Sequence, residues 1–201
     1  MHTNKQPRYW FAMRLYYKKV LACRTQLIGI NDVLNGINPP GSYFPEDFKG
    51  EPMDYYAPSY YDTFTDNRGK QVSEEKALIP SIFFFRSTLR QAECFEQSLP
   101  FPGTLYRTMG EEPHLPIRIP QKQMDMFMLV TSAEQDGLEY LDPDAYKWKK
   151  GVRVRVIDGK FKGLEGEIKR IGGNKSLVVA IEGICAVATS YIPQCFLERI
   201  E

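Results

Sequence analysis

Lys150-Gly151-Val152-Arg153-Val154-Arg155-Val156-Ile157-Asp158-Gly159-Lys160-Phe161-Lys162-Gly163-Leu164-Glu165-Gly166 is the stretch on which the fold of this 201-residue chain turns. Its valines alternate with arginines, so an extended strand sends the valines to one face and the arginines to the other. Asp158-Gly159 is a turn pair, and Gly163 and Gly166 relieve crowding where the chain bends. Leu177-Val178-Val179-Ala180-Ile181 and the run from Ile184 to Thr189 follow after glycine-rich turns. Several short strands within about fifty residues predict a small all-β barrel. The barrel occupies 148–201.

Working outward, Glu134-Gln135-Asp136-Gly137 and Asp142-Pro143-Asp144 are polar and rich in breakers, which predicts a linker over 134–147. Before it the periodicity is mixed. Tyr9-Trp10-Phe11-Ala12-Met13 suits a buried strand, and Val20, Leu21, Cys23, Leu27 and Ile28 mark one helix face with Gly29 as its stop. Between Asn31 and Pro52, Gly36, Pro39, Pro40, Gly41, Pro45, Gly50 and Pro52 predict a long loop or an insertion near 31–53. Tyr55-Tyr56 and Tyr60-Tyr61, a turn at Asp66-Asn67-Arg68-Gly69 and the strand Ile82-Phe83-Phe84-Phe85-Arg86 predict a hairpin. Thr88 with Gln91 has capping-box spacing and starts a helix through Leu89, Ala92 and Phe95. A strand at Thr104 to Thr108 follows, and Pro120 opens a third helix with Met124, Phe127, Met128 and Thr131. The order β, α, β, β, α, β, α predicts an α+β domain over 1–133.

With 43% hydrophobic and 13% aromatic residues the chain has material for a packed core, and its net charge of +1 excludes a uniformly basic protein. Charge is local. From Asn31 to Lys76 there are nine acids and four bases, and from Lys147 to Lys175 ten bases and three acids. Cys23, Cys94, Cys185 and Cys195 form no C-x-x-C pair and have only His2 and His114 beside them, which argues against a zinc site. Met1 to Arg14 lacks the apolar core of a secretory signal, so four reduced, mostly buried thiols in the cytoplasm are expected. No apolar run approaches the ~20 residues of a membrane helix, so no membrane partner is expected. There is no phosphate-binding glycine loop and no G-x-S-x-G turn, and Glu74-Glu75 and Glu111-Glu112 read as solvated charges. A non-enzymatic protein without cofactor or metal is expected.

The 150–166 segment resembles a KOW motif. KOW barrels also occur in ribosomal proteins, so the N-terminal half has to discriminate. There, Arg8-Tyr9-Trp10-Phe11-Ala12-Met13-Arg14 resembles the first strand of the NusG N-terminal (NGN) domain. Ala77-Leu78-Ile79-Pro80-Ser81-Ile82-Phe83-Phe84-Phe85-Arg86 resembles that domain's leucine-aromatic-proline-glycine strand entry, with Ser81 where glycine is common. The segment from Pro116-Ile117-Arg118-Ile119-Pro120 to Met128 resembles the approach to its last helix. The matches stand in the family's order, and the long 31–52 loop and Ser81 fit a specialised paralogue of the RfaH kind.

This resemblance to NusG-type factors implies an NGN antiparallel sheet with helices followed by an SH3-like KOW barrel. It implies a transcription elongation or antitermination factor, for particular operons such as polysaccharide loci, that docks on the clamp region of RNA polymerase. Ile79, Ile82 and Phe84 match docking positions, with Tyr56 and Tyr60 as additions, and Arg14 and Tyr17 lie where the family approaches polymerase and non-template DNA. Phe161 and Ile184 match barrel loop residues that bind a small-subunit ribosomal protein or Rho. Each position also has a plainer reading: Ile82 to Phe85 buried between sheet and helices, the tyrosines as ordinary strand residues, Arg14 solvated, Tyr17 packed. The alternative function is an RNA- or ribosome-binding KOW protein. The acidic 31–76 region favours polymerase docking, and the basic barrel segment is either a nascent-RNA contact or a solvated face. β-Branched residues and glycines disfavour a helical form of 150–201, so a permanent five-stranded barrel and an uncovered docking face are expected.

Overall fold

The computed structural model describes residues 6–37, 48, 50–110, 114–133, 138–141, 151–171, 174–189 and 192–200. The chain divides between Ile119 and Pro120 into two units.

In the first unit, β1 (Tyr9–Leu15) lies between β5 (Ile82–Ser87) and β6 (Gly103–Leu105), and β2 (Asp54–Tyr56) pairs with the far edge of β5. All pairings are antiparallel. The alternation of β1 and β5 sends Phe11, Met13, Phe83 and Phe85 to one face, where they bury with Val20, Cys23 and Leu27 of α1 (Val20–Leu34) and Ala92 and Phe95 of α2 (Leu89–Ser98). Phe95 meets the Phe85 ring edge-on at 5.2 Å between centroids. The capping box of α2 is present, with Thr88 accepting from the Gln91 N–H and the Gln91 side chain accepting from the Thr88 N–H.

Three expectations need correction here. Helix α1 runs through Gly29 to Leu34, because a glycine inside a helix costs only about 1 kcal/mol and the packed face carries on. It ends at Asn35 and Gly36, whose φ of 81° suits a helix terminus. The Asn31 side chain then brackets the backbone of Met53, donating to its carbonyl and accepting from its N–H at 2.7 Å each, which fixes where the chain returns. Of the expected 31–53 insertion, 38–47 and 49 lie outside the described residues, while Phe48 and Met53 are buried core. The hairpin partner of β3 (Ser59–Thr65) is β4 (Gln71–Ala77), not the aromatic strand β5. Gln71-Val72-Ser73-Glu74-Glu75-Lys76-Ala77 is mostly polar and forms a separate two-stranded ribbon.

The second unit holds α3 (Gln121–Ala133), so the division falls before this helix rather than after it. Its sheet runs β12 (Leu197–Arg199), β8 (Val152–Val156), β9 (Glu165–Ile171), β10 (Asn174–Ile181), β11 (Cys185–Ala188), β7 (Glu139–Leu141). Among the described residues this sheet therefore has six strands rather than the expected five. The sixth, β7, comes from the segment expected to be linker and pairs along the edge of β11. Inward-facing Val154, Val156, Leu177, Val179 and Ile181 are buried, and Val178, Ala186 and Ala188 bury with Leu141 on the other face. Gly159 turns at φ 81° as the Asp-Gly pair requires. A Cβ on Gly166 would lie 2.5 Å from the Val178 carbonyl oxygen, so β9 needs glycine there.

Candidate functional site

Register brings four of the expected docking residues onto one face of the first sheet. Arg14 lies opposite Ile82, Ala12 opposite Phe84, and Phe84 opposite Tyr56. Sequence reasoning missed Trp10 and Ala12, which share this face, although their alternation with Phe11 and Met13 carries the signal. Ile82 and Phe84 are buried at 1% and 0% exposure, and Ile79 at 1%. The expectation of an uncovered docking face is thus wrong for these three residues: both faces of β5 are covered, as a run of four apolar residues requires. Tyr56 is half-buried.

Arg14 is not a freely solvated cation. Its guanidinium stacks over Tyr106 at 5.1 Å, and its Nε donates to the Tyr106 hydroxyl at 3.4 Å. Tyr106 carried no signal in the sequence. Tyr17 stands apart, in the turn between β1 and α1. It is 83% exposed, and it and Lys18 both occupy the left-handed region at φ 57° and 55°. Two adjacent non-glycine residues in that region are sterically strained. Tyr16, Lys18 and Lys19 beside it are also exposed, so this turn presents two tyrosines and two lysines.

Tyr60 lies on the β3–β4 ribbon opposite Lys76, away from the first sheet. The ribbon is tied to α1 by Arg24, which binds both Glu75 carboxylate oxygens at 2.7 and 2.6 Å, while the Ser59 hydroxyl donates to Glu75 at 2.5 Å. The Arg24 and Ser59 hydrogen bonds pull the Glu75 carboxyl down to about 2. Asp62 is likewise paired, to Lys76. Part of the acidic excess of 31–76 is therefore neutralised locally.

In the barrel, Phe161 and Ile184 are buried at 5% and 0% exposure. The turn closes by Leu164 N–H to the Phe161 carbonyl and Gly163 N–H to the Val156 carbonyl, which folds the loop back on the strand. The outward arginines are answered by acids. Glu165 accepts from Arg155 at 2.8 Å and Lys122 at 2.9 Å, with Arg153 at 3.9 Å, and the Arg155 and Lys122 hydrogen bonds hold its carboxyl below the usual range. Glu167 binds Lys169 at 2.9 Å and the Gly151 N–H at 3.1 Å. Lys147, Lys149 and Lys150 lie outside the described residues.

All four cysteines are free thiols; Cys23 and Cys185 are buried, and burial pushes both thiols up. Cys94 is half-buried and Cys195 exposed, so two of the four are not the buried residues expected. Among the described residues no helix is long and apolar enough to cross a membrane.

No family model matches the chain. The large ribosomal subunit protein uL24 of Spiroplasma citri is 58% identical over 41 residues, which are 20% of this chain and 69% of that protein. A solved structure described as domain interaction in Thermotoga maritima NusG aligns with 97% of this chain and 98% of its own length, at 16% identity and a TM-score of 0.48.

Proposed function

We propose that this chain is a NusG-like factor, an NGN-type α+β unit followed by a KOW barrel, and that it acts in transcription elongation and antitermination by contact rather than catalysis. The observation that supports the reading is the pairing of the two units. A KOW barrel alone fits a ribosomal protein, but here it follows a sheet unit whose Arg8–Arg14 and Ala77–Arg86 segments are NGN-like. In this reading the face of Tyr56, Ile82 and Phe84 docks on the clamp region of RNA polymerase, and the exposed Tyr16–Lys19 turn, with Arg14 beside it in sequence, meets non-template DNA. The barrel takes a small-subunit ribosomal protein or Rho, and the targets are particular operons such as polysaccharide loci. Because Ile79, Ile82 and Phe84 are buried in this structure, docking through them requires that they first become accessible.

The experiment is capture of purified core RNA polymerase by the purified full chain. Ile82→Asp and Phe84→Asp are unsuitable probes, since a carboxylate at a buried position destabilises the sheet itself. Ile82→Val and Phe84→Leu keep the packing and are expected to weaken capture while unfolding close to the parent temperature. Tyr17→Ala is expected to leave capture intact and to reduce crosslinking to non-template DNA in a paused complex. A chain that captures no polymerase would turn the reading towards the ribosome-binding alternative.

A further inference from the structure

We propose that the free edge of β3 pairs with the β3 of a second copy of this chain, joining two β3–β4 ribbons into one four-stranded antiparallel sheet. This rests on the ribbon's own residues and stands apart from polymerase docking and from the barrel. Among the described residues β3 pairs with β4 alone. At the two ends of the ribbon the Asp66 N–H donates to the Lys70 carbonyl and the Leu78 N–H to the Pro58 carbonyl. Hydrogen bonding alternates along an antiparallel strand, so Tyr60, Asp62 and Phe64 direct their backbone groups to β4, and Tyr61, Thr63 and Thr65 direct theirs outward. Three successive outward sets of N–H and C=O groups are a template for another strand.

The devices that keep a sheet edge solitary sit on the other strand. β4 carries Glu74, Glu75 and Lys76, and it is the strand that Arg24 ties to α1. β3 has no proline, glycine, lysine or arginine, and its register with β4 runs one to one from Ser59 to Thr65 without a bulge. Its single charge, Asp62, is held by Lys76 at 2.5 Å. What it presents to solvent is Tyr61, 72% exposed, and Phe64, 44% exposed, with Thr63 and Thr65.

A second β3 is the strand that this pattern selects, in one register. A two-fold antiparallel pairing must set outward-directed residues opposite one another. Centred on Asp62 it would oppose Asp62 to its own copy, and centred on Phe64 it would oppose Asp62 to Asp66, and directly opposed like charges are destabilising. Centred on Tyr61 it runs off the strand, with Phe64 and Thr65 opposite Pro58 and Ala57. Centred on Thr63 it opposes Thr63 to Thr63, Tyr61 to Thr65 and Phe64 to Asp62. No like charges then meet, and the threonine–threonine and aromatic–β-branched pairs are of the favourable cross-strand kinds.

The test is sedimentation of the full chain across a range of concentrations at low salt. The parent's mass is expected to rise with concentration from that of one 23.2 kDa chain towards twice that, while amide exchange at Tyr61, Thr63 and Thr65 slows. Thr63→Lys and Thr63→Glu each set a charge against its own copy at the two-fold axis, and each is expected to weaken association roughly 10-fold. Thr63 is exposed and faces Ser73 within the ribbon, so both variants are expected to unfold close to the parent temperature. An equimolar mixture of the two variants is expected to associate at least as tightly as the parent, because unlike charges then meet at the axis. Mixing cannot rescue a misfolded ribbon, which separates lost pairing from lost folding. A parent that sediments as one chain throughout, even one that captures a different protein, overturns the proposal. So do variants that associate like the parent, and a mixture that stays as weak as its components.

Discussion

Two hairpins in this molecule set like charges across from each other, one in each unit, and they treat the repulsion differently. In β3–β4, Asp62 faces Glu74, and Lys76 from the neighbouring register position reaches Asp62 at 2.5 Å while lying 5.9 Å from the centre of the Phe64 ring. In β9–β10, Arg170 faces Lys175, and the nearby acids Glu165 and Glu167 serve cations on the other side of the sheet. The first hairpin closes its electrostatics within itself and uses them to hold a ribbon with little core. The second rests on a buried barrel strand, Leu177 to Ile181, so packing holds it and its charges can stay unanswered. Repulsion is tolerable where hydrophobic burial carries the fold.

The sharpest break of this comparison is steric. Gly166→Ala places a methyl group 2.5 Å from the Val178 carbonyl oxygen, a backbone atom that cannot swing aside. The expected loss is about 1–3 kcal/mol of barrel stability, read from denaturant unfolding of the full chain, with amide exchange of β3–β4 unchanged. Increased exchange in the ribbon as well would mean that the two hairpins are not independently supported.

A smaller effect is expected from Arg24→Ala, which removes the bidentate partner of Glu75. With both side chains 24% exposed, the pair contributes on the order of 1 kcal/mol, and its loss should appear as faster exchange and proteolysis across 59–77 rather than global unfolding. The same bond gives a pH signature. Glu75 is held at about 2, below the ordinary carboxyl value of 4.5, so its contribution is fully present above the unfolded value and disappears as pH falls through the folded one. Comparison of the parent with Glu75→Gln should show a stability difference that is constant from about pH 5 upward and largely gone near pH 2. A difference that persists undiminished to pH 2 would remove the ion pair as its cause.

The barrel was the most legible part of the sequence, because alternating Val152, Val154 and Val156 and the Asp158-Gly159 turn each demand a particular backbone. The capping box at Thr88 was equally readable, since both of its hydrogen bonds are local. What escaped reading was non-local. Strand β4 looks polar because its ribbon has no core to face, β7 is three residues held by the β11 edge, and Gly29 is overridden by helix packing on both sides of it. Alternation puts Arg14, Ile82, Phe84 and Tyr56 on one sheet face, but it cannot say whether that face is covered, and Ile82 and Phe84 are buried. Phe161 and Ile184 sit in turns, where no alternation applies and burial depends on how the loop folds back, while the Arg170–Lys175 opposition needs the β9–β10 register before it can be seen at all.

The smallest predicted effect bears most directly on the comparison. Lys175→Glu replaces an opposed like pair with an opposed ion pair, the chemistry that β3–β4 achieves by recruiting Lys76. Cross-strand pairs of opposite charge contribute roughly 0.2–1 kcal/mol relative to neutral ones, so the variant should unfold slightly later than the parent, with the gain shrinking as salt screens the pair. Lys175→Gln should fall between the two, because it removes repulsion without adding attraction. The order of stabilities parent, Lys175→Gln, Lys175→Glu is what distinguishes an electrostatic effect from a change in strand propensity. If glutamine and glutamate behave alike at low salt, Arg170 and Lys175 do not sense each other, and the β9–β10 hairpin is no more strained by its charges than the ribbon is.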